Sequence, residues 1–357
     1  MRFVSIDNIT EGMIAGKPLY GASGHLLIQS GAPLTKTVIT KLRTTGYFGL
    51  YIDDELSKGI DPVDVVSDAS RREAKNALAK IMKSTAENKA KFFQGNFNEV
   101  SAALNQIIEE ITSSETSIVN VVNMKNFDDY TYEHSVNVCV LACVIGIGMN
   151  MSHSDLRKLG LAAILHDVGK MFIEKEILNK HEMFSIEEFE EFKKHVFLGV
   201  EKLKLDQELP PTVTAAILQH HERFDGSGYP HEKIADEIAF EAQIISLVDV
   251  YDSITTNKPL NPPLTSVEAY EYIWESSGMA FNPELVEIFA KKIAPYPLGV
   301  QVLLSDGQIG IIFKNHEDNL LRPVVKLLPT TDNPEERFID LNNDSTPYRI
   351  TIEKIFM

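Results

Sequence analysis

Apolar and polar positions alternate with a period of two in three short stretches near the start of the chain: the first few residues, LLI at 26–28 and GLYIDD at 49–54. Residues 34–42 carry helical spacing, and Gly16, Gly21, Gly24 and Gly31 punctuate the turns. Residues 1–65 therefore predict a small α+β unit. They hold no grouping of His, Cys and acidic residues, so no chemistry is assigned to them.

From 66 to 117 the pattern becomes polar and helical. Ser70 and Glu73 fit a capping box, and Leu78, Ile81 and Met82 keep one apolar stripe. A second helix is expected near 97–111. The segment predicts a helical connector whose stripes suit either intramolecular packing or a homodimer contact. Residues 118–295 predict helices throughout, with capping signals at Ser152/Asp155 and Ser185/Glu188 ahead of apolar stripes. After Pro295 the period returns to two. GVQVLL, SDGQ and IGIIF predict a hairpin with an Asp-Gly turn, and PVVKLL, RFIDL and YRITIEKIF follow as strands. Residues 296–357 thus predict a small β-barrel-like unit. The fold class is mainly α, with a helical catalytic bundle between two small accessory units.

A chain of 357 residues with 44% hydrophobic positions can bury a core large enough to need no disulfides. The two cysteines, Cys139 and Cys143, stand four apart in an apolar run and predict buried thiols in a reducing cytoplasm. The start of the chain lacks the features of a signal peptide. The most apolar window, 136–151, is shorter than the roughly 20 residues that span a bilayer and carries Asn137, so a buried helix rather than a membrane segment is expected. The net charge of −17 argues against DNA or RNA as a partner. A small anionic ligand needs local cations or metal ions in so acidic a protein.

The chemistry gathers in the helical segment. His166-Asp167 ends the apolar run LGLAAILHD, His220-His221 ends TVTAAILQHH, and Asp249 lies inside AQIISLVDVYDSI. His134 and His195 fall in the same segment. A buried carboxylate or imidazole needs a partner, and a metal ion is an efficient one. One His or one HD pair is ordinarily a hydrogen-bonded core residue; seven such groups on successive helices point to metal. With no thiolate among them, the mixed imidazole and carboxylate set suits iron or manganese rather than structural zinc. Seven ligands suit two divalent ions, an arrangement able to activate a water and clamp a phosphodiester.

HDVGK at 166–170, KKHVFLG around His195 and HHERFDGSGYP at 220–230 resemble the HD-GYP branch of the HD phosphohydrolases. YTYEHS around His134 and LVDVYDS around Asp249 follow the same pattern in the same order, so the resemblance spans 118–275. It implies a helical bundle that hydrolyses a cyclic dinucleotide, usually cyclic di-GMP, to pGpG or GMP. It implies metal ligation by His134, His166, Asp167, His195, His220, His221 and Asp249, with Asp167 bridging two ions and Lys170 beside the scissile phosphate. Arg223, Gly228, Tyr229, Pro230 and Lys258 are the implied substrate contacts. The chain departs from the pattern in three places. Tyr130 stands where some members carry the Glu of a third metal site, Gln243 replaces an arginine, and Lys258-Pro259-Leu260-Asn261 replaces a run with two arginines. An ammonium in place of a guanidinium loses bidentate phosphate binding, so the substrate clamp is thinned. The same departures leave open a signalling module that binds a dinucleotide or a partner protein with little turnover.

Overall fold

The structure is a computed structural model describing residues 1–356 except 22–24, 87–89, 115–117, 121–129, 181, 207–208, 257–262, 332–334 and 344–349; the side chains of 86, 90–94, 130, 205 and 206 also lie outside the description. The first unit contains β1 (Arg2–Ser5), β2 (Ile14–Ala15), β3 (Leu19–Tyr20), β4 (Leu26–Ile28), α1 (Lys36–Thr44) and β5 (Gly49–Asp53). β5 pairs antiparallel with β1 on one side and β2 on the other, while β3 and β4 form a separate two-stranded ladder. Leu34, Ile39 and Leu42 close one side of this unit's core against Leu50 and Ile52.

Two antiparallel-packed helices follow, α2 (Asp68–Ala86) and α3 (Ala90–Ser113). α2 begins before the capping box that the sequence suggested. Ser67 is the residue whose hydroxyl accepts from the Ser70 amide, at 3.2 Å, while Ser70 is buried and donates to Glu110 of α3. The bundle is completed by α4 (Tyr130–Gly148), α5 (His153–Leu165), α6 (Lys175–Leu178), α7 (Ile186–Lys193), α8 (His195–Asp206), α9 (Pro211–Gln219), α10 (Phe240–Thr255), α11 (Ser266–Glu275) and α12 (Pro283–Lys292). Ser152 caps α5, and Ser185 with Glu188 forms the capping box of α7, as their spacing predicted.

One apolar cluster runs from Ala74, Leu78 and Ile81 of α2 and Leu104 and Ile107 of α3 into α4, α5, α9, α10 and α12. α4 lies at its centre: residues 138–145 are almost completely buried, the thiols of Cys139 and Cys143 included. By length and composition the window Thr131–Gly148 is long and apolar enough to cross a membrane, a greater length than the apolar run alone suggested, but 67% of it is buried inside the bundle. A helix apolar on all sides is what the middle of a helical core requires. Each fully buried Leu or Ile there contributes about 1.5–3 kcal/mol relative to exposure.

The last unit is a five-stranded antiparallel sheet of β6 (Gln301–Leu304), β7 (Ile309–Lys314), β8 (Val324–Leu327), β9 (Arg337–Asp340) and β10 (Ile352–Phe356), in the order β10-β6-β7-β8-β9. Among the described residues no ladder joins β9 to β10, so the predicted barrel is a sheet whose hydrogen bonding stops short of closure. The Asp306-Gly307 turn joins β6 to β7, with Gly307 at φ 83°. This sheet meets the first unit directly: Phe3, Tyr51 and Val300 form a shared apolar cluster, the Phe3 amide donates to Gly299 O at 2.9 Å, and Lys326 Nζ donates to Lys58 O at 2.8 Å.

Candidate metal centre

Three of the expected ligands are presented by one local device. His166 and His220 are the residues at which α5 and α9 end, and His195 begins α8. Helix ends leave carbonyls without an intrahelical partner. In each case the imidazole turns back on the carbonyl three residues earlier: His166 Nδ1 donates to Ala163 O, His195 Nδ1 to Phe192 O and His220 Nδ1 to Ile217 O, all at 2.7 Å. An Nδ1–H donated to backbone fixes the tautomer and leaves Nε2 with a free lone pair. Those three Nε2 atoms converge on Asp167. They lie 3.3 Å (His166), 3.7 Å (His195) and 3.8 Å (His220) from its carboxylate oxygens.

His134 comes from α4 and Asp249 from α10. His134 Nε2 lies 3.0 Å from Asp249 Oδ1 and 3.7 Å from Asp167 Oδ2, and its Nδ1 donates to Asp252 Oδ2 at 2.8 Å. His221 Nδ1 is 4.0 Å from Asp249 Oδ2. Lys170 Nζ donates to Asp167 Oδ2 at 2.5 Å and lies 5.5 Å from the centroid of the Phe192 ring. All seven predicted ligands are therefore brought to one place, with Asp167 common to two groups: Asp167, His195, His220 and His221, and His134, His166 and Asp167.

Burial sorts the charges. It pushes the His195 imidazole down to about 4 and His221 to about 3, and with the neighbouring His221 it holds His220 well below the ordinary value. Burial also works against charge on His134, but hydrogen bonds to Asp249 and Asp252 outweigh it and raise that ring to about 9. For Asp167 and Asp249 burial opposes ionisation, yet His166 and Lys170 around the first, and His134 beside the second, hold both well below the usual carboxylate range.

Two glycines permit this approach of elements. An atom at the Cβ position of Gly169 would fall 1.8 Å from His195 O and 2.6 Å from Gly199 N, so the turn carrying Asp167 and Lys170 rests backbone-to-backbone on α8. A Cβ on Gly228 would fall 2.3 Å from Arg223 N and 2.5 Å from His221 O. Gly228 is thus required for close approach, whereas Gly226, two residues before it, has a positive φ of 81°. The tight loop seats Tyr229 on His221, rings stacked at 4.7 Å, with Phe189 edge-on at 6.0 Å. Pro230 follows it through a cis peptide bond. Arg223 is half-exposed and engaged within the loop, donating to Ser227 Oγ at 2.6 Å. Lys258 and Asn261 lie outside the described residues, as does the side chain of Tyr130. Gln243 is a brace: it donates to the carbonyls of Ala235 and Ile238 and accepts from Asn282.

Three residues that the sequence reading passed over also support the site. Asp252 orients His134. Glu222, fully buried between His221 and the loop, accepts from the amides of His231 at 2.7 Å and Lys233 at 3.1 Å and so ties the loop's far end. Asn137 donates to Asp252 Oδ1 at 3.0 Å.

The donors fit metal. His166 Nε2, Asp167 Oδ1, His195 Nε2, His220 Nε2 and His221 Nε2 are all buried and without a hydrogen-bond partner. An unpartnered buried polar atom costs about 1–3 kcal/mol. Five facing one another are accounted for by cations that take their lone pairs, and neutral imidazoles with an ionised carboxylate are the protonation states that ligation needs.

In comparison with known proteins, the HD domain model matches residues 116–285. The chain is 33% identical over 230 residues to a cyclic di-GMP phosphodiesterase of Pseudomonas aeruginosa, covering 63% of this chain and 55% of that protein. It is 34% identical over 177 residues to a cyclic di-GMP phosphodiesterase of Thermotoga maritima, covering 49% and 48%. A 3'3'-cGAMP-specific phosphodiesterase of Vibrio cholerae is 34% identical over 142 residues, 40% of this chain and 27% of that one. The chain thus spans about half the length of the first two relatives or less of the third. Among solved structures, a HDG"Y"P protein from Bdellovibrio bacteriovorus shares the fold with a TM-score of 0.51 at 17% identity, covering 80% of this chain and 97% of that one.

Proposed function

We propose that the protein is a metal-dependent phosphodiesterase that hydrolyses a cyclic dinucleotide, cyclic di-GMP or a close relative, to pGpG or GMP, using two divalent ions, iron or manganese. The carrying observation is the set of five buried, unpartnered donor atoms around Asp167. The names of the relatives support the substrate class.

In this reading His134, His166, Asp167 and Asp249 would hold one ion, and Asp167, His195, His220 and His221 would hold the other. Divalent ions bound there supply Lewis-acid activation of water and of the phosphodiester. The protein's own contribution is preorganisation. The i−3 carbonyls hold three imidazoles with Nε2 inward, and burial keeps the His195 and His220 rings neutral, so no proton has to leave those two at neutral pH. Lys170 places an ammonium against Asp167 and is partly exposed, so it can also donate to a phosphoryl oxygen or the leaving oxygen. Tyr229 covers the outer face of His221, excludes water from it and offers a flat surface beside the reacting phosphate. Two thiols that stay unpaired in the core suit a cytoplasmic setting.

The test is an assay of the full chain, loaded with manganese or anaerobically with ferrous iron, on cyclic di-GMP, cyclic GMP-AMP and linear pGpG, with metal content measured on the same sample. Cleavage that vanishes in Asp167→Ala supports the proposal. A metal-replete protein that cleaves none of them overturns it.

A further inference from the structure

The imidazole of His134 is held differently from those of His166, His195 and His220, which hang on the backbone carbonyl three residues earlier. Its outer nitrogen is fixed by a side chain, Asp252, and Asp252 is fixed in turn. Asn137 Nδ2 donates to Asp252 Oδ1 at 3.0 Å, and Asn137 Oδ1 accepts from Arg71 Nη1 at 2.8 Å. Arg71 belongs to α2, which precedes the HD segment. Its neighbour Arg72 lies 4.0 Å over the ring of Tyr20 in the first unit. An unbroken set of polar contacts therefore runs from α2 through α4 and α10 to a nitrogen facing Asp167 and Asp249.

The chemistry of each link sets its direction. Asn137 interrupts the otherwise apolar face of α4, where both ends of an amide need partners. Its NH2 must face the acceptor-only carboxylate of Asp252, so its oxygen must face a donor, and a guanidinium is donor-only. Without Arg71 the amide oxygen loses its charged donor and the amide is free to turn over. An oxygen set against Asp252 would repel that carboxylate and loosen its hold on His134. We infer that Arg71 is a positioning residue for the metal centre, acting through Asn137 and Asp252 on His134. The inference rests on the metal reading above.

The experiment uses the full chain stripped of metal and titrated with Mn²⁺, free ion being followed by electron paramagnetic resonance. In Arg71→Met one Mn²⁺ equivalent is expected to bind about tenfold more weakly, the scale of ligand-supporting contacts. Arg71→Lys, which keeps a donor, should recover most of the loss. Asn137→Ala should match Arg71→Met, and the double variant should be no worse than Asn137→Ala. Lys75→Met removes another α2–α4 contact, the 3.1 Å pair with Glu133, and should leave both equivalents unchanged. In metal-free protein, long-range proton–nitrogen spectra should show the His134 ring displaced in Arg71→Met with the His166, His195, His220 and His221 imidazoles in place. Unchanged Mn²⁺ affinity, additive losses or an equal loss in Lys75→Met overturns the inference. If the wild type takes up no Mn²⁺, the metal reading fails, and an unmoved His134 resonance then sinks the relay as well, whereas a displaced one sustains it.

Discussion

Asp252 Oδ2 lies 2.8 Å from His134 Nδ1, while three residues earlier on the same helix Asp249 Oδ1 lies 3.0 Å from the other nitrogen of that ring. Two aspartates one turn apart thus grip one imidazole from both sides, the first facing the metal centre and the second behind it. Asp252→Asn removes the charge from the rear partner and leaves the front one in place. Metal affinity is expected to fall 10- to 100-fold. Competition with a chelator of known strength measures it, and an unaltered affinity would refute the assignment.

Lys170 can be separated from metal binding. Its replacement by Met removes the ammonium but none of the seven expected ligands. Metal content should stay at the wild-type level while kcat/KM for the dinucleotide drops about 10²–10³-fold, as when one donor to a developing oxyanion is lost. Loss of metal together with activity would instead make Lys170 a support for Asp167.

Gly169 and Gly199 face each other, but only the first is in severe conflict with a methyl group. Gly169→Ala would drive a carbon into the His195 carbonyl, which cannot swing aside as a side chain can. It should destabilise the fold by about 1–3 kcal/mol in urea unfolding and weaken metal binding by parting Asp167 from His195. Gly199→Ala meets its nearest neighbour at 3.2 Å and should cost less. Equal costs at the two positions would contradict this packing.

The metal-free protein should have a stability maximum near neutral pH. His195, His220 and His221 are depressed in the folded state, to about 4 and about 3 for the first and third. Below about 6.5 the unfolded chain protonates all three and the folded chain does not, so stability falls as pH drops, by up to about 4 kcal/mol per pH unit. His134 is raised to about 9, so its contribution is complete below 6.5 and is lost as pH climbs through 9. Urea midpoints from pH 4.5 to 9.5 should trace this asymmetric dome, and a profile flat below 6.5 would show the histidines are not buried neutral. Added Mn²⁺ should raise the curve and steepen its acid side, because ligation displaces protons from the folded state alone.

Four of the expected ligands were legible because they sit where an apolar run ends in polar residues, at His166-Asp167 and His220-His221. Asp252 carried a signal of the same kind, an acid one helical turn from Asp249 in an apolar helix, but two inward-facing carboxylates read as one ligand until His134 is seen between them. Glu222 looked like part of a loop motif, and only the loop's return to its carboxylate shows why an acid is buried there. The start of α2 was misread because Ser67 and Ser70 offer the same capping chemistry. Glu110, some forty residues away, decides between them by claiming Ser70. Strands as short as β2 and β3 hold two residues each and leave no period to detect. Closure of the C-terminal sheet depends on curvature, which alternation does not encode.

Phe3 and Tyr51 lean on Val300, and with the Tyr51 hydroxyl bonded to Leu298 O at 3.2 Å they fasten the first unit to the terminal sheet. Excising the terminal sheet would uncover the rings of Phe3 and Tyr51 far upstream in the chain. The two units flanking the helical bundle are in that sense halves of a single packed piece, and removing either will disturb the one left intact.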